Sequence, residues 1–415
     1  MSPCGCDEID CDTGTQLIPI EDALALLLKN ANPITETETI SIMEAHGRIL
    51  AEDLSSTISV PPADNSAMDG YAIRSVDLAT KKDTVLLPVS QRIPAGTVGS
   101  ELKPGTAARI FTGAPIPKGA DAVVMQEICK PQGDDVLIDG PIAAGTNIRK
   151  AGEDIRIGDN ILSAGTQLKP QDIGLAASVG IGEVTVYKRL RVGLFFTGDE
   201  LREPGETLEP GQIYNSNRHT MRGLLENLNC ELVDLGIVKD TLQATKEAML
   251  QAAQATDLIM TSGGVSVGEA DYIRIALEEL GQLDLWQINI KPGKPLAFGQ
   301  VDNTPFIGMP GNPVSVFATF CIFARPFILK KQGSKNTTAN SFMVPAGFSW
   351  SKPGNRHEYI RVRMEDGKLH LYPNQSSGVL TSTCWANGLA LIPANTTIKP
   401  TELIKFIPYS ELSVY

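Results

Sequence analysis

Short apolar runs recur along the chain, and between residues 191 and 330 they alternate with longer segments of helical period. The runs at 191–196, 232–238 and 258–260 are predicted to be buried strands. The segments at 217–228 and 240–255 place apolar side chains on one helical stripe. Strands that alternate with helices predict a doubly wound parallel sheet, which binds ligands beyond the carboxyl ends of its strands. Further strands are expected at 183–187, 283–290 and 305–308, with a helix after Asn312 and Pro313.

Outside this region the pattern changes twice. Segments at 20–30, 41–48 and 168–180 have helical character, and Ser41 with Glu44 matches a capping box. Short strands punctuated by Gly and Pro fill two other regions, at 71–73, 85–90, 107–111, 122–126 and 136–138, and again at 359–362, 369–372, 389–392 and 402–407.

These patterns predict a multidomain α/β plus β protein. Its parts are a mainly helical N-terminal domain (1–57 and 149–188), an inserted small β domain (58–148), a doubly wound αβ domain (189–334) and a C-terminal β domain (335–415). A polar linker is expected at 332–338. A length of 415 residues suits several domains.

Charge and composition narrow the functional classes. The net charge of −12 argues against nucleic-acid binding and against an anionic membrane surface. The N-terminus is acidic and no apolar run approaches the ~20 residues of a membrane span, so a cytoplasmic location is expected. Only four histidines occur, without an H-x-x-x-H pair, and dinucleotide and P-loop fingerprints are missing. A histidine metal site, a dehydrogenase and a P-loop enzyme are therefore not expected.

The seven cysteines fit reduced thiols. Four of them are scattered and are expected to pack as small hydrophobic side chains: Cys129, Cys230, Cys321 and Cys384. Cys4, Cys6 and Cys11 lie close together, but their spacing lacks a fourth ligand. A mobile tail is favoured there over a metal site.

The stretch 258–272 carries the most distinctive loop. Gly263 and Gly264 follow a strand and precede a capping box, so backbone N–H groups and a helix N-terminus converge on one point. The same residues are also explained by an ordinary strand-to-helix turn that binds no anion. The helix start at Asn312 offers similar donors. The residues assigned to this anion-binding role are Ser262, Gly263, Gly264, Ser266, Gly268, Pro310 and Asn312.

Carboxylates follow several strand ends. Asp240 and Asp271 have alternative explanations as helix-terminal residues. Either Asp199 or Glu200 joins them at the ends of adjacent strands, an arrangement that capping does not require. Lys291 and Lys294 sit three apart in a Pro/Gly loop, where anion capture competes with simple salt bridging.

Five motifs, in order, resemble the molybdopterin molybdenumtransferases of the MoeA family and the E domain of gephyrin. They are DNSAMDGYA, TGDEL, SGGVSVGEADY, IKPGKPLAFG and GMPGNPVS, and the resemblance runs from about Ile18 to the C-terminus. It implies that the αβ domain binds molybdopterin. The implied reaction inserts molybdenum from molybdate into adenylylated molybdopterin and releases AMP.

The resemblance also implies roles for single residues. It makes Asp69, Glu200, Asp240, Asp271, Lys291 and Lys294 catalytic, and it places Thr112, Arg356 and Ser377 among the substrate-binding residues. Mg²⁺ would be bound by some of Glu200, Asp240 and Asp271. Arg361 and Ser376 would add donors. A homodimer is implied, in which Asp69 of one subunit reaches the cleft of the other, and the adenylyltransferase of the preceding step is a candidate partner.

Two other functions compete with molybdenum insertion. Molybdopterin adenylylation uses a similar αβ domain, but it would need neither Asp69 nor the C-terminal domain. A noncatalytic scaffold is the other alternative, and the full set of charged loop residues argues against it. Molybdate and tungstate match in charge and nearly in size, so the residues favour neither.

Overall fold

The computed structural model describes residues 17–78, 84–264 and 272–412 of the chain. The N-terminal part begins with helix α1 (Ile20–Asn30), as predicted, and continues with strands β1 (Thr37–Ser41) and β2 (Leu54–Ser55). Helix α1 packs its buried face into the largest core of the protein, together with the last helix of the αβ domain.

The helix predicted at 41–48 is wrong. Residues up to Ser41 belong to strand β1, and only a 3₁₀ turn follows, at Ile42–Glu44. The Ser41 side chain accepts a hydrogen bond from the Met43 N–H at 3.3 Å, so the capping signal is used by this short turn. Strand β1 pairs with a strand about 140 residues later in the chain, a contact that the local pattern does not contain.

The inserted region is a sheet of short strands, as predicted. Its strand order is β7-β4-β6-β5-β9-β8, and only β5 and β6 run parallel. Each of the five predicted runs falls on one of its strands. The strands of this region are β3 (Asn65–Ser66), β4 (Gly70–Ile73), β5 (Thr84–Ile93), β6 (Ala107–Ile110), β7 (Ala122–Met125), β8 (Lys130–Gln132), β9 (Asp135–Asp139) and β10 (Ile148–Arg149).

The chain then returns to the N-terminal part. Strand β11 (Asn160–Leu162) pairs with β2, helix α2 (Pro170–Ser178) follows, and strand β12 (Glu183–Tyr187) pairs antiparallel with β1. This part is therefore a mixture of helices and small two-stranded sheets, with more strand than its sequence predicted.

The αβ region alternates strands and helices along the chain. Its elements are β13 (Arg191–Thr197), β14 (Leu201–Arg202), β15 (Ile213–Tyr214), α3 (Ser216–Glu226), β16 (Glu231–Val238), α4 (Leu242–Ala255), β17 (Leu258–Ser262), α5 (Tyr272–Leu280), β18 (Gly281–Gln287), β19 (Ile290–Lys291), β20 (Pro295–Val301), β21 (Thr304–Met309), α6 (Pro313–Thr319), a π-helical turn (Phe320–Ala324) and α7 (Arg325–Lys331).

Helices cover both faces of its main sheet, which confirms the doubly wound fold. Along β13, Leu194 and Phe196 point into the core that contains α3 and α6, whereas Phe195 points into the core beneath α4 and α5. This alternation follows the period-two geometry of a strand. Buried on both faces, the central strands are almost entirely apolar.

The sheet is only partly parallel. Its order is β16-β13-β17-β21-β20-β18, and the first four strands are parallel, whereas β20 runs antiparallel to both of its neighbours. The single strand predicted at 283–290 is wrong, because β18 ends at Gln287 and Ile290 begins β19 in another sheet. Strand β20 was not predicted as a separate element.

The segment Pro313–Lys331 is long and apolar enough to cross a membrane, but 83% of its most apolar window is buried in the fold. Its apolar composition is explained by packing in the largest core. The polar stretch that follows, at 332–338, is not a free linker. Gln332 is buried and donates a hydrogen bond from Nε2 to the carbonyl of Leu228 at 2.7 Å.

The C-terminal part is a third six-stranded sheet of order β19-β23-β25-β26-β22, with β24 paired to β23. Strand β19 is its first member, so the chain after β18 joins the αβ region to this sheet. All four predicted strand runs are confirmed; helix α8 was not predicted. The elements are β22 (Phe342–Pro345), β23 (His357–Glu365), β24 (Lys368–Leu371), α8 (Thr381–Trp385), β25 (Gly388–Ile392) and β26 (Leu403–Pro408).

The cysteine prediction is correct for three of four residues. Cys129, Cys230 and Cys321 are buried, whereas Cys384 is exposed on α8. Cys4, Cys6 and Cys11 lie outside the described residues.

Candidate functional site

A cavity of about 1010 Å³ lies where the carboxyl ends of the αβ strands face the C-terminal sheet. Most residues predicted for the site line it, although they come from seven separate stretches of the chain. They are Glu200, Asp240, Ser262, Gly263, Gly264, Lys291, Lys294, Pro310, Asn312, Arg356 and Ser377. The geometry therefore brings together what the sequence placed in separate loops.

The glycine turn after β17 forms one wall of the cavity. Gly263 and Gly264 have φ angles of +96° and +65°, which favour glycine strongly. A Cβ atom on Gly264 would lie 2.9 Å from the Thr197 hydroxyl and 2.9 Å from a side-chain carbon of Ile273. The turn is thus both conformationally and sterically restricted to glycine. Ser266, Gly268 and Asp271 lie outside the described residues.

Ser262 is buried and fixed by two hydrogen bonds. Its hydroxyl donates to the Pro310 carbonyl at 2.9 Å and accepts from Asn217 Nδ2 at 2.8 Å. The same Asn217 amide donates to the Gly311 carbonyl at 2.7 Å. Asn217 therefore joins the end of β17 to the loop before α6, which begins at Pro313 as predicted.

Asn215 and Asn217 were not predicted as site residues. Both line the cavity, at the start of α3. The available signal was the pair of asparagines around Ser216, directly before a helix. That signal indicates only a helix cap, because the contacts to residues 262 and 311 are nonlocal.

Three carboxylates gather on the αβ side. Asp240 does not cap α4; Thr241 does, since its hydroxyl accepts from the Ala244 N–H at 3.3 Å. The pKa of Asp240 is raised, first by partial burial and then by the negative charges of Asp199 and Glu200. Within the described residues none of these three carboxylates forms an ion pair, although the Arg202 guanidinium donates to the backbone carbonyl of Asp199 at 3.0 Å.

This arrangement fits a divalent cation with few protein ligands. In the described ranges, no group of three His, Cys, Asp or Glu side chains is arranged to hold a metal ion. Mg²⁺, however, usually keeps several waters and takes one or two carboxylates together with substrate phosphates. Glu200 and Asp240, which repel each other, match that requirement.

Basic residues line the opposite side. Lys291 Nζ lies 3.1 Å from Glu358 Oε2, and this carboxylate is almost fully buried in β23. Arg356 donates from Nη1 to the Ile290 carbonyl at 3.2 Å and forms no ion pair in the described part of the chain. Its positive charge therefore remains available to the cavity, whereas that of Lys291 is shared with Glu358. Lys294 lies on the same wall.

Arg361 supports the cavity from behind and does not line it. Its side chain is 1% exposed, and its guanidinium donates to the Ser382 hydroxyl and, at 3.1 Å, to the Ser376 carbonyl. Burial lowers the pKa of Arg361 to about 10. Its backbone N–H donates to Gln375 Oε1 at 2.9 Å. The prediction that Arg361 donates directly in the site is wrong; it holds the loop that carries Ser376 and Ser377.

Asp69 and Thr112 form a separate pair on the inserted sheet. Asp69 Oδ1 accepts from the Thr112 N–H at 2.8 Å and from its hydroxyl at 2.7 Å. These two bonds, with a smaller contribution from Arg109, lower the pKa of Asp69. Neither residue of the pair lines the large cavity within one chain.

Three family models match consecutive parts of the chain. They describe the MoeA N-terminal region (domain I and II) at 18–180, a probable molybdopterin binding domain at 193–330 and the MoeA C-terminal region (domain IV) at 343–409. The molybdopterin molybdenumtransferase of Haemophilus influenzae is 46% identical over 321 residues, which cover 77% of this chain and 79% of that one. The chain belongs to the MoeA family.

Other MoeA-type proteins agree over most of the chain. The molybdopterin molybdenumtransferase of a Nostoc species is 37% identical and covers 87% of this chain and 86% of its own length. The crystal structure of the molybdopterin biosynthesis moeA protein from Pyrococcus horikoshii OT3 superposes with a TM-score of 0.84 at 33% identity. That match covers 95% of this chain and 100% of the other, so the MoeA fold extends over all of its parts.

Proposed function

We propose that this MoeA-family protein inserts molybdenum from molybdate into adenylylated molybdopterin and releases AMP, during molybdenum cofactor biosynthesis. One observation carries the proposal: a single cavity is lined by a glycine turn, by carboxylates and by basic residues from the C-terminal sheet. A substrate with phosphates, a divalent cation and an oxyanion needs these three kinds of partner together.

The phosphates of the substrate would be held on the αβ side. Gly263 and Gly264 leave room for close backbone approach, and Ser262 is kept in place by Asn217. Mg²⁺ would be held by some of Glu200, Asp240 and Asp271, of which Glu200 and Asp240 line the cavity. The cation would supply positive charge that neutralises the pyrophosphate. The protein residues thereby fix the orientation of the bond between the two phosphates.

Molybdate would bind on the C-terminal side. It is a dianion, and Arg356 offers a guanidinium that is not neutralised by any described carboxylate. Lys294 and Ser377 also line the cavity. Lys291 contributes less net charge because Glu358 lies 3.1 Å from it. The sulfur atoms of the pterin would then receive the metal, so the protein contributes positioning and electrostatics.

The contribution of the C-terminal sheet favours insertion over adenylylation. Arg356 and Ser377 line the cavity, and an enzyme that needs only the αβ region would not require them. The test is to supply adenylylated molybdopterin with and without molybdate and to measure AMP. Molybdate-dependent AMP release is expected. ATP consumption with free molybdopterin would instead support the adenylyltransferase, and absence of both reactions would support a scaffold.

We further propose a cytoplasmic homodimer in which Asp69 of one subunit completes the cavity of the other, with the adenylyltransferase of the preceding step as a transient partner. Support comes from the geometry within one chain: Asp69 is fixed by Thr112 but lies away from the cavity. A side chain held so firmly at a distance suits a site completed in trans. Closed two-fold symmetry would give two such sites.

Mixed dimers test the shared site. Asp69→Ala and Asp240→Ala subunits, each inactive alone, are unfolded and refolded together. One site of a mixed dimer would be intact, so about a quarter of wild-type activity is expected, from half of the dimers and half of their sites. Each variant refolded alone serves as the control. Mixed dimers without activity would contradict the shared site and leave molybdenum insertion itself untouched.

A further inference from the structure

Helix α3 begins at the wall of the cavity. Its N-cap is Asn215, and no acidic side chain occupies its first turn. The backbone N–H groups of Ser216 and Asn217 have no acceptor within the described residues. A helix N-terminus carries partial positive charge, and here no carboxylate in the first turn compensates it.

A second and independent feature is the side chain of Asn215, which is only 2% exposed. Its Oδ1 atom accepts from the Arg218 N–H at 3.2 Å, and this contact fixes which end of the amide is the donor. The donor, Nδ2, is buried and has no partner, although Asn215 lines the cavity. A buried donor without an acceptor is unfavourable, so an acceptor supplied by a ligand would be bound with a gain.

Nearby acidic groups do not supply this acceptor. Asp234 and Glu203 are both engaged by the Arg218 guanidinium, at 2.9 Å and 2.6 Å. Asn217 offers no additional donor, since its Nδ2 is used by Ser262 and Gly311, and its Oδ1 remains an unpaired acceptor. The unsatisfied donors at this position are therefore the two backbone N–H groups and Asn215 Nδ2.

We propose that the N-terminus of α3, at Asn215–Asn217, is a subsite for the phosphoryl group of AMP and of the adenylylated substrate. The proposal rests on the proposed function. Neutral donors at a helix start suit a tetrahedral oxyanion, and both a phosphoryl group and molybdate have that shape. We assign the phosphoryl group because the proposed function gives molybdate to Arg356, whose charged guanidinium lines the same cavity.

Two substitutions at Asn215 separate capping from ligand binding. Asn215→Ser keeps a good N-cap acceptor but removes the amide donor. Asn215→Asp also keeps the acceptor for the Arg218 N–H and places a negative charge where the donor was. The matched control is Ser41→Asp, because Ser41 is an exposed N-cap that does not line the cavity and receives the same charge.

The experiment measures the binding of AMP, adenosine and molybdate to the full-length protein by calorimetry. Asn215→Asp is expected to raise the Kd for AMP by about tenfold or more, and Asn215→Ser by about threefold to tenfold, as for a lost hydrogen bond to a charged group. The Kd values for adenosine and molybdate should stay within about twofold of wild type, and Ser41→Asp should change none of the three. Thermal unfolding verifies that each variant is folded. If Asn215→Asp does not fold, the AMP affinity of Asn215→Ser alone tests the subsite.

Three results would overturn the subsite. The first is AMP binding that is unchanged in both variants, and the second is wild-type protein that does not bind AMP at millimolar concentration. The third is a selective loss of molybdate binding in the Asn215 variants, which would mean that the subsite binds molybdate and not the phosphoryl group. Molybdate-dependent AMP release is measured on the same wild-type preparation. Release there, combined with any of these three results, would leave the proposed function standing while the subsite fails.

Discussion

The contact between Lys291 and Glu358 allows a quantitative prediction, because Lys291 both stabilises a buried carboxylate and is proposed to bind substrate. The Lys291 side chain is 50% exposed, whereas that of Glu358 is only 6% exposed, and their charged atoms are 3.1 Å apart. Removing one partner of a buried ion pair costs about 3–5 kcal/mol, and an exposed pair contributes at most about 1 kcal/mol. The half-exposed lysine places this pair between the two cases. Lys291→Ala is therefore expected to lower the free energy of unfolding by about 1–3 kcal/mol.

A double-mutant cycle separates this structural cost from the role of Lys291 toward molybdate. In Lys291→Ala combined with Glu358→Gln, no buried charge is left unpaired, so most of the lost stability should return. Molybdate-dependent turnover should not return, and the KM for molybdate should remain raised by about tenfold, as for one charge-assisted contact. Glu358→Gln alone frees the ammonium group and should lower that KM. Lys118→Ala, which breaks an exposed pair with Glu101, is the control and should change neither quantity.

The measurements are thermal or urea unfolding and molybdate-dependent AMP release for all four variants. Full activity in the double variant would refute the assignment of Lys291 to substrate binding and reduce it to the counter-ion of Glu358. Wild-type stability of Lys291→Ala would refute the structural part, since a carboxylate that tolerates the loss of its partner is not held in a costly buried state.

Three further predictions concern other parts of the site. Asp240→Asn should abolish AMP release but stabilise the protein at neutral pH. Burial and like charge raise the pKa of Asp240, so its ionised form is unfavourable in the folded state, and the gain in stability should vanish as the pH falls towards 3.8. Equal stability of both proteins at pH 7 would contradict this. Gly264→Ala should destabilise the protein more than Gly96→Ala, because both have positive φ but only Gly264 has atoms 2.9 Å from the added Cβ; equal effects on urea unfolding would show that the turn relaxes. Removal of residues 1–13 should leave turnover and melting temperature unchanged, and a stoichiometric metal bound only by the full chain would refute that expectation.

Local sequence signals predicted much of the fold. Short apolar runs between Gly and Pro located five strands of the inserted sheet and four of the C-terminal sheet, because strands and turn residues are encoded over a few positions. The pair Asn312 and Pro313 correctly placed the start of α6. In each case neighbouring residues alone determine the outcome.

The errors occurred where a distant partner decides the conformation or where adjacent residues compete for the same role. The capping signature at Ser41 and Glu44 predicts a helix, but pairing of β1 with β12, far along the chain, imposes a strand. At Asp240 and Thr241, two adjacent residues are both good caps, and the hydroxyl of Thr241 takes the role. The carboxylate of Asp240 is thereby left for the cavity, which no local pattern specifies.

In the candidate site, too, local motifs were predicted and long-range contacts were not. Its glycine turn and charged loops were predicted because each is a local motif that must lie at a strand end. The residues that these loops contact were not predicted, because Lys291 contacts Glu358 and Asn217 contacts Ser262 only in the folded chain. Arg361 illustrates the opposite error, in which a residue next to a motif was taken for a ligand contact but is fully buried behind the loop.

Strand β19 explains how acidic and basic walls face each other in a protein of net charge −12. Glu200 and Asp240 follow strands of the αβ sheet, whereas Arg356 directly precedes β23 of the C-terminal sheet. The chain leaves the αβ sheet after β18, and strand β19 pairs with β23 in the C-terminal sheet. The Arg356 guanidinium bonds to the Ile290 carbonyl of β19. Backbone pairing therefore fixes the distance between the two walls, so that opposite charges can face a substrate without neutralising each other. The cavity is in this sense a product of the connection between the sheets, and neither sheet alone contains it.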